Sequence, residues 1–137
     1  MPGVLTCVPF VSLWSIMASP LLIGSDISML TPDSLRILGN VEITAINQDK
    51  KGVQGVPVNA DSSCWTKPLA DGSTAALLLN VGDNTSSVTC TFEELKVGAT
   101  SAKVRDLWAK KDLGTIDGKI TATLKSHVAM VVKITAA

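Results

Sequence analysis

Apolar and polar positions along this chain change period near residue 49. From Val11 to Met17 (VSLWSIM) the apolar residues are Val11, Leu13, Trp14, Ile16 and Met17, a spacing that predicts a largely buried helix. Pro20 holds the residue before it extended, so the helix should end near Ala18. Leu21-Leu22-Ile23 is a short continuous apolar run closed by Gly24, which reads as a strand buried on both faces, as in a parallel sheet. Thr31-Pro32-Asp33 opens a second helix, with Thr31 as N-cap and Pro32 in the first helical position. That helix runs through Leu35, Ile37 and Leu38 to a stop near Gly39-Asn40. Glu42 to Asn47 reads as a further short helix or an irregular segment.

Lys50, Lys51, Gly52, Gly55 and Pro57 read as a linker, and beyond it the period becomes two. The predicted strands are Cys64 to Leu69, Thr74 to Val81, Ser87 to Phe92, Ala102 to Trp108, Lys119 to Lys125 and Val128 to Thr135. Ala70-Asp-Gly72, Gly82-Asp-Asn84 and Asp117-Gly118 are the turn signals between them, and Glu93-Glu94-Leu95 reads as one helical turn or a loop. Short strands at this spacing predict an antiparallel β-sandwich. The plan is a helix–strand–helix unit over residues 1–48, a linker over 49–58 and a sandwich over 59–137. The expected inward set is Trp65, Leu77, Leu79, Val88, Cys90, Val104, Leu107, Ile120, Ala122, Leu124, Met130 and Val132. Leu107 is out of phase with Val104, which requires a bulge between them if both point inward.

Composition narrows the function classes. A hydrophobic fraction of 46% over 137 residues supplies a core, which argues against wholesale disorder. Twelve Lys and Arg balance twelve Asp and Glu, so no basic excess points to nucleic acid or to an anionic membrane. No Gly-rich phosphate loop is present, and no cofactor is implied. Met1 to Ile27 is strongly apolar and contains no Lys or Arg. A secretory leader would carry a basic start, and a spanning helix needs about 20 apolar residues in a row. Pro9 and Pro20 cut the stretch and Ser12, Ser15 and Ser19 dilute it, so it reads as buried helix and strand, with an anchor or a leader as alternatives.

Cys7, Cys64 and Cys90 form no CxxC pair, and with a single histidine no zinc site is expected. Cys64 and Cys90 lie on predicted strands; two buried free thiols are the favoured reading, with a disulfide as the alternative. Ser126, His127 and Asp106 invite a catalytic-triad reading. Adjacent residues of an extended strand point to opposite faces, which favours a structural His127. Trp14, Trp65 and Trp108 offer sugar-stacking platforms, but their apolar surroundings favour packing. Asn84-Thr-Ser86 is a glycosylation sequon, meaningful in a secreted chain.

Several pieces follow one another along the chain: Ser12-Leu-Trp-Ser-Ile-Met17, Pro20-Leu-Leu-Ile-Gly-Ser-Asp26, Ala45-Ile-Asn-Gln-Asp49, Gly52-Val-Gln-Gly55, Trp65-x-x-Pro-Leu69, Ala76-Leu-Leu-Leu-Asn80, Arg105-Asp-Leu-Trp108 and Ser126-His127. Together they resemble the last βα unit and the C-terminal β-sandwich of clan-D α-galactosidases (melibiases, glycoside hydrolase family 27), over roughly residues 11 to 134. Residues 1–10 do not fit that pattern, and the segment between Gly55 and Cys64 is shorter than the family's first sandwich strand. The resemblance implies a mostly β fold: an antiparallel sandwich preceded by the final βα unit of a truncated TIM-type barrel. It implies hydrolysis of terminal α-linked galactose, with galactosides as the carbohydrate partner. Its retaining mechanism uses two carboxyls roughly 5 to 5.5 Å apart. In the family both are Asp on earlier barrel strands, and neither motif is in this sequence, so no catalytic residue is carried over and the chain is expected to be inactive alone. Asp26 would end a barrel strand, a pocket-rim position, or else cap a turn. Asp49 is expected to hydrogen-bond at the barrel–sandwich junction. The exposed βα remnant makes self-association an expectation. Members of the family are often secreted, lysosomal or vacuolar, and no convincing leader settles the location here.

Overall fold

The computed structural model describes residues 7–137. Three helices come first: α1 (Cys7–Ile16), α2 (Pro32–Leu38) and α3 (Val41–Asn47), with a 3-10 turn at Ile27–Met29. Eight strands follow: β1 (Val56–Pro57), β2 (Cys64–Pro68), β3 (Thr74–Leu79), β4 (Ser86–Thr91), β5 (Ser101–Asp106), β6 (Lys111–Asp117), β7 (Lys119–Leu124) and β8 (Ala129–Ala136). All pairings are antiparallel. One sheet has the order β1-β2-β3-β8-β5-β6, and the other is the pair β4-β7. The helices cover the outer face of the larger sheet, so the chain has three layers and two cores.

The cap of α2 follows its sequence signal, and Asn40, read as the stop of that helix, also opens the next one. Thr31 Oγ1 accepts from the Ser34 N–H with Pro32 at the first turn, and Asn40 Oδ1 accepts from the Glu42 and Ile43 N–H groups to start α3. Ala18, at φ 55°, ends the α1 region in the left-handed conformation, just before Pro20. The apolar run Leu21 to Ile23 is not a strand. It has no neighbouring strand to take its backbone hydrogen bonds, and Leu22 and Ile23 are exposed.

Two strands escape the sequence reading. β1 lies within the stretch read as linker. β6 is an edge strand exposed along almost its whole length, so it carries no alternation. It also contains Gly114 at φ 82°, opposite Val104, where the register with β5 shifts. Asp117-Gly118 is not a hairpin turn. β6 and β7 belong to different sheets, and Gly118, at φ 67°, is the corner where the chain crosses between them.

The core between the sheets contains Cys64, Ala76, Leu78, Val88, Cys90, Val104, Ile120, Leu124, Val132 and Ile134, with Ala122 and Met130 packed at its border. The second core joins Val11, Ile16, Ile37, Ile43 and Ile46 of the helices to Leu69, Ala75, Leu77, Leu107, Ala129 and Val131. Trp65, Leu77, Leu79 and Leu107 were expected between the sheets, and the structure corrects this: all four face the helical side. β3 is buried on both faces, so its apolar residues give no period to show which face is which. Leu107 needs no bulge, because an odd step from Val104 places it on the other core. Cys64 and Cys90 form a disulfide between β2 and β4, which overturns the reading as two free thiols. Spacing alone could not show that their strands face each other across the sandwich. Cys7 is free and exposed.

Several carboxyls are held below their ordinary values: Asp71 chiefly by Lys133 and then Ser73, Glu42 by Arg105, Glu94 by the Thr91 N–H, and Asp61 by the Ser63 N–H. Each stabilises the fold fully above its unfolded value, near 3.8 for Asp and 4.5 for Glu, and that contribution is lost as pH falls through the lower folded value. The melting temperature should therefore fall steadily below that range, and Asp71→Asn should flatten the fall. A melting temperature independent of pH in this acid range would show that these bonds contribute nothing.

Candidate functional site

The family-like motifs converge on the contact between the helical layer and the large sheet. Arg105 on β5 donates from Nε and Nη2 to the Glu42 carboxylate of α3, at 2.9 and 2.8 Å, and from Nη1 to Asp112 at 2.9 Å. A forked guanidinium suits this paired geometry. Asp106 Oδ1 accepts from the Trp108 and Ala109 N–H groups and fixes the turn after β5. Leu107 enters the helix–sheet core, and Trp108 Nε1 donates to Ser12 Oγ on α1 at 2.9 Å. The four residues Arg105 to Trp108 thus all serve one interface or its approach.

The other junction motif behaves alike. Asn47 Nδ2 donates to the carbonyls of Ser19 (2.7 Å) and Trp14 (3.3 Å). Asp49 accepts from the Ala70 N–H through both oxygens and from the Lys51 N–H through Oδ1. Gly55 donates its N–H to the Ile16 carbonyl at 2.8 Å. Lys67, on β2, is almost wholly buried, and Nζ donates to the Ile46 carbonyl at 2.7 Å and to the Ser15 carbonyl at 3.3 Å. An ammonium among the last carbonyls of two helices meets both their free acceptors and the negative ends of their dipoles. Burial pushes its pKa down, and Asp49 opposes that. Sequence reasoning missed Lys67; the available signal was a Lys two residues from Trp65, in the phase read as inward.

The opposite side of the helical layer is open. Leu22 is 89% exposed, Met29 78% and Ile27 72%. Trp14, 46% exposed, Val11, Met17 and Leu21 to Ile23 line an apolar groove of about 420 Å³. Phe10 lies beside Trp14, with ring centroids 6.2 Å apart, and is itself exposed. Exposed apolar side chains beside an apolar groove mark a surface suited to covering by another one.

Asp26 sits in the same segment. Its Oδ1 accepts from the Ser28 N–H at 2.9 Å and from Ser28 Oγ at 2.7 Å, capping the 3-10 turn. The side chain is exposed, and these bonds lower its pKa, which favours the ionised form over a proton donor. Trp65 and Trp108 pack against the second core, with Trp65 Nε1 donating to the Ser62 carbonyl, so neither is an open sugar platform. Trp14 departs from the packing expectation. Ser126 and His127 lie in the turn between β7 and β8, not on a strand. His127 adopts φ 54° and its Nε2 lies 3.4 Å from Asp83, while Asp106 caps its own turn. Among the described residues no cluster of three or more His, Cys, Asp or Glu is arranged to hold a metal.

The family model for the α-galactosidase C-terminal β-sandwich domain matches residues 59–134. The chain belongs to this family. A second model, α-galactosidase A, matches residues 7–49, the helical layer. An α-galactosidase of Coffea arabica is 35% identical over 119 residues, covering 85% of this chain and 32% of the relative. α-Galactosidase 3 of Arabidopsis thaliana is 36% identical over 123 residues, covering 85% of this chain and 28% of the relative. The chain thus spans about a third of the length of the curated relatives it matches, and it corresponds to the C-terminal part of the α-galactosidase architecture. The structure of α-galactosidase I from Mortierella vinacea superposes with a TM-score of 0.90 at 26% identity, over 98% of this chain and 37% of that one. A family 27 β-L-arabinopyranosidase from Geobacillus stearothermophilus superposes at 0.89 and 27%, over 98% of this chain and 31% of that one. Two glycosidases named for different sugars thus share this part of the fold.

Proposed function

We propose that this chain provides the C-terminal sandwich and the last helical unit of an α-galactosidase-type glycosidase, and that it does not hydrolyse galactosides by itself. The observation that carries this is the polarity of the helical layer. One side is sealed to the sheet by Arg105, Lys67 and the second core, while the other leaves Leu22, Ile27 and Met29 bare. A remaining barrel portion is the cover this face calls for, and terminal α-linked galactose is the substrate class of the assembled architecture. Asp26 lies in the uncovered segment, where a barrel would place its pocket rim; held ionised by Ser28, it would orient or bind a sugar hydroxyl instead of donating a proton. Without a cover, the bare face favours self-association.

Purified chain incubated with a chromogenic α-galactoside should release no dye above buffer. Turnover lost in Asp26→Ala would overturn the proposal and make Asp26 catalytic. Sedimentation at rising concentration should show association that Leu22→Ser with Met29→Ser weakens.

A further inference from the structure

We propose that Asn84 carries an N-linked oligosaccharide, on a chain matured in the same oxidising compartment that closes the Cys64–Cys90 bridge. Two independent observations meet here. Asn84-Thr85-Ser86 is the only Asn-X-Ser/Thr sequence in the chain, and the structure places it in the exposed loop between β3 and β4. The bridge between β2 and β4 is buried between the two sheets. Structural disulfides form and persist in oxidising compartments, the setting in which asparagine-linked sugars are also added.

The loop is built so that its backbone is held and the acceptor is free. Asn80 is buried, and its Nδ2 donates to the carbonyls of Asn84 (2.7 Å), Leu124 (2.9 Å) and Lys125 (3.1 Å). Its Oδ1 accepts from the Gly82 N–H at 2.9 Å. One side chain therefore ties the loop to the end of β7. The pull on Asn84 acts through its carbonyl, and among the described residues no protein group hydrogen-bonds its side-chain amide. Ser86, also exposed, begins β4 opposite Leu124. A bulky hydrophilic adduct at Asn84 would displace no core residue, because residues 81–87 are all exposed.

In the transfer, the Asn84 side-chain nitrogen attacks the anomeric carbon of a lipid-diphosphate-linked oligosaccharide. The N–C bond forms, the bond from that carbon to the diphosphate oxygen breaks, the lipid diphosphate leaves, and the amide gives up one proton. No oxidation is involved in this step. The inference does not depend on the glycosidase reading.

The test is translation of the chain behind an endoplasmic-reticulum leader in the presence of microsomes, scored on the protease-protected product. Transfer is read on the translocated polypeptide, so a variant that folds poorly still reports. The parent should show one endoglycosidase-sensitive mobility step. Thr85→Ala should keep it, while Asn84→Gln and Ser86→Ala should lose it. A protected parent chain without the step, or a step that survives Asn84→Gln, overturns the assignment. Protein from its native source should show Cys64 and Cys90 closed to alkylation until reduced under denaturing conditions. Alkylation of both in denatured, unreduced protein would overturn the compartment.

Discussion

Leu78→Ala is expected to remove about 2 to 5 kcal/mol of stability, the range for truncating a fully buried leucine. Leu78 has no solvent exposure and stands on β3 in the core between the sheets, with Cys64, Val132 and Val88 in the same cluster. A domain of this size has on the order of 5 to 15 kcal/mol in total, so the cooperative transition should move far or vanish. Leu79→Ala is the paired control. Leu79 is only partly buried and lies at the border of the helix–sheet core, so its truncation should cost clearly less. Urea unfolding followed by tryptophan fluorescence would rank the two. Equal losses would mean that β3 presents a different face to the sandwich from the one described.

Gly55→Ala should act differently, by lifting one layer from another. A Cβ at Gly55 would sit 2.7 Å from the Ile16 carbonyl oxygen and 3.1 Å from the Thr66 carbonyl oxygen, and would run into Ile16 Cγ2. Both oxygens belong to backbone, of α1 and β2, so neither can turn aside. Overpacking of this kind costs about 1 to 3 kcal/mol, and here it falls where Lys67 must reach the ends of α1 and α3. Hydrogen exchange should show residues 7–47 losing protection while amides of β3, β5 and β8 keep theirs. Gly52→Ala supplies the contrast. Gly52 has φ 64° but open space around it, so its cost is conformational, about 1 kcal/mol, and should leave the layers docked. Unchanged exchange across residues 7–47 in Gly55→Ala would refute the tight approach.

What was legible in the sequence follows from what each signal measures. Thr31-Pro32 and Pro20 act on their own backbone neighbourhood, so the start of α2 and the end of the α1 region could be read locally, while Asn40 was legible only as the stop of α2 and not as the cap of α3. β5 and β7 alternate because neighbouring positions differ in burial, whereas β8 buries Val131 and Val132 side by side on opposite faces. β3 is apolar on both faces, and its phase depended on knowing that helices cover one of them. β6 had no signal because an exposed edge strand with a glycine at its bulge has no buried face to report. The Leu21–Ile23 run read as a buried strand because apolarity measures what a segment would bury, not whether a neighbour is there to bury it. The junction motifs were visible only as a resemblance. Their physical content, Arg105 to Glu42, Trp108 to Ser12 and Asp49 to Ala70, joins residues far apart in the chain. Asp26 could be placed near the open face but not assigned a role, since its bonds to Ser28 are as local as any cap.

The Cys64–Cys90 bridge also changes how the sandwich would age. It spans a sequence separation of 26, and the exposed loop from Val81 to Thr85 lies inside that span. A protease that nicked this loop would leave the two pieces fastened to each other across the core. β3 would still pair with β8, and β4 with β7, each ladder now joining one piece to the other or lying within one. Breaking the chain and losing the domain are therefore separate events, and only a reductant acting together with a nick would free the two pieces from their covalent tie.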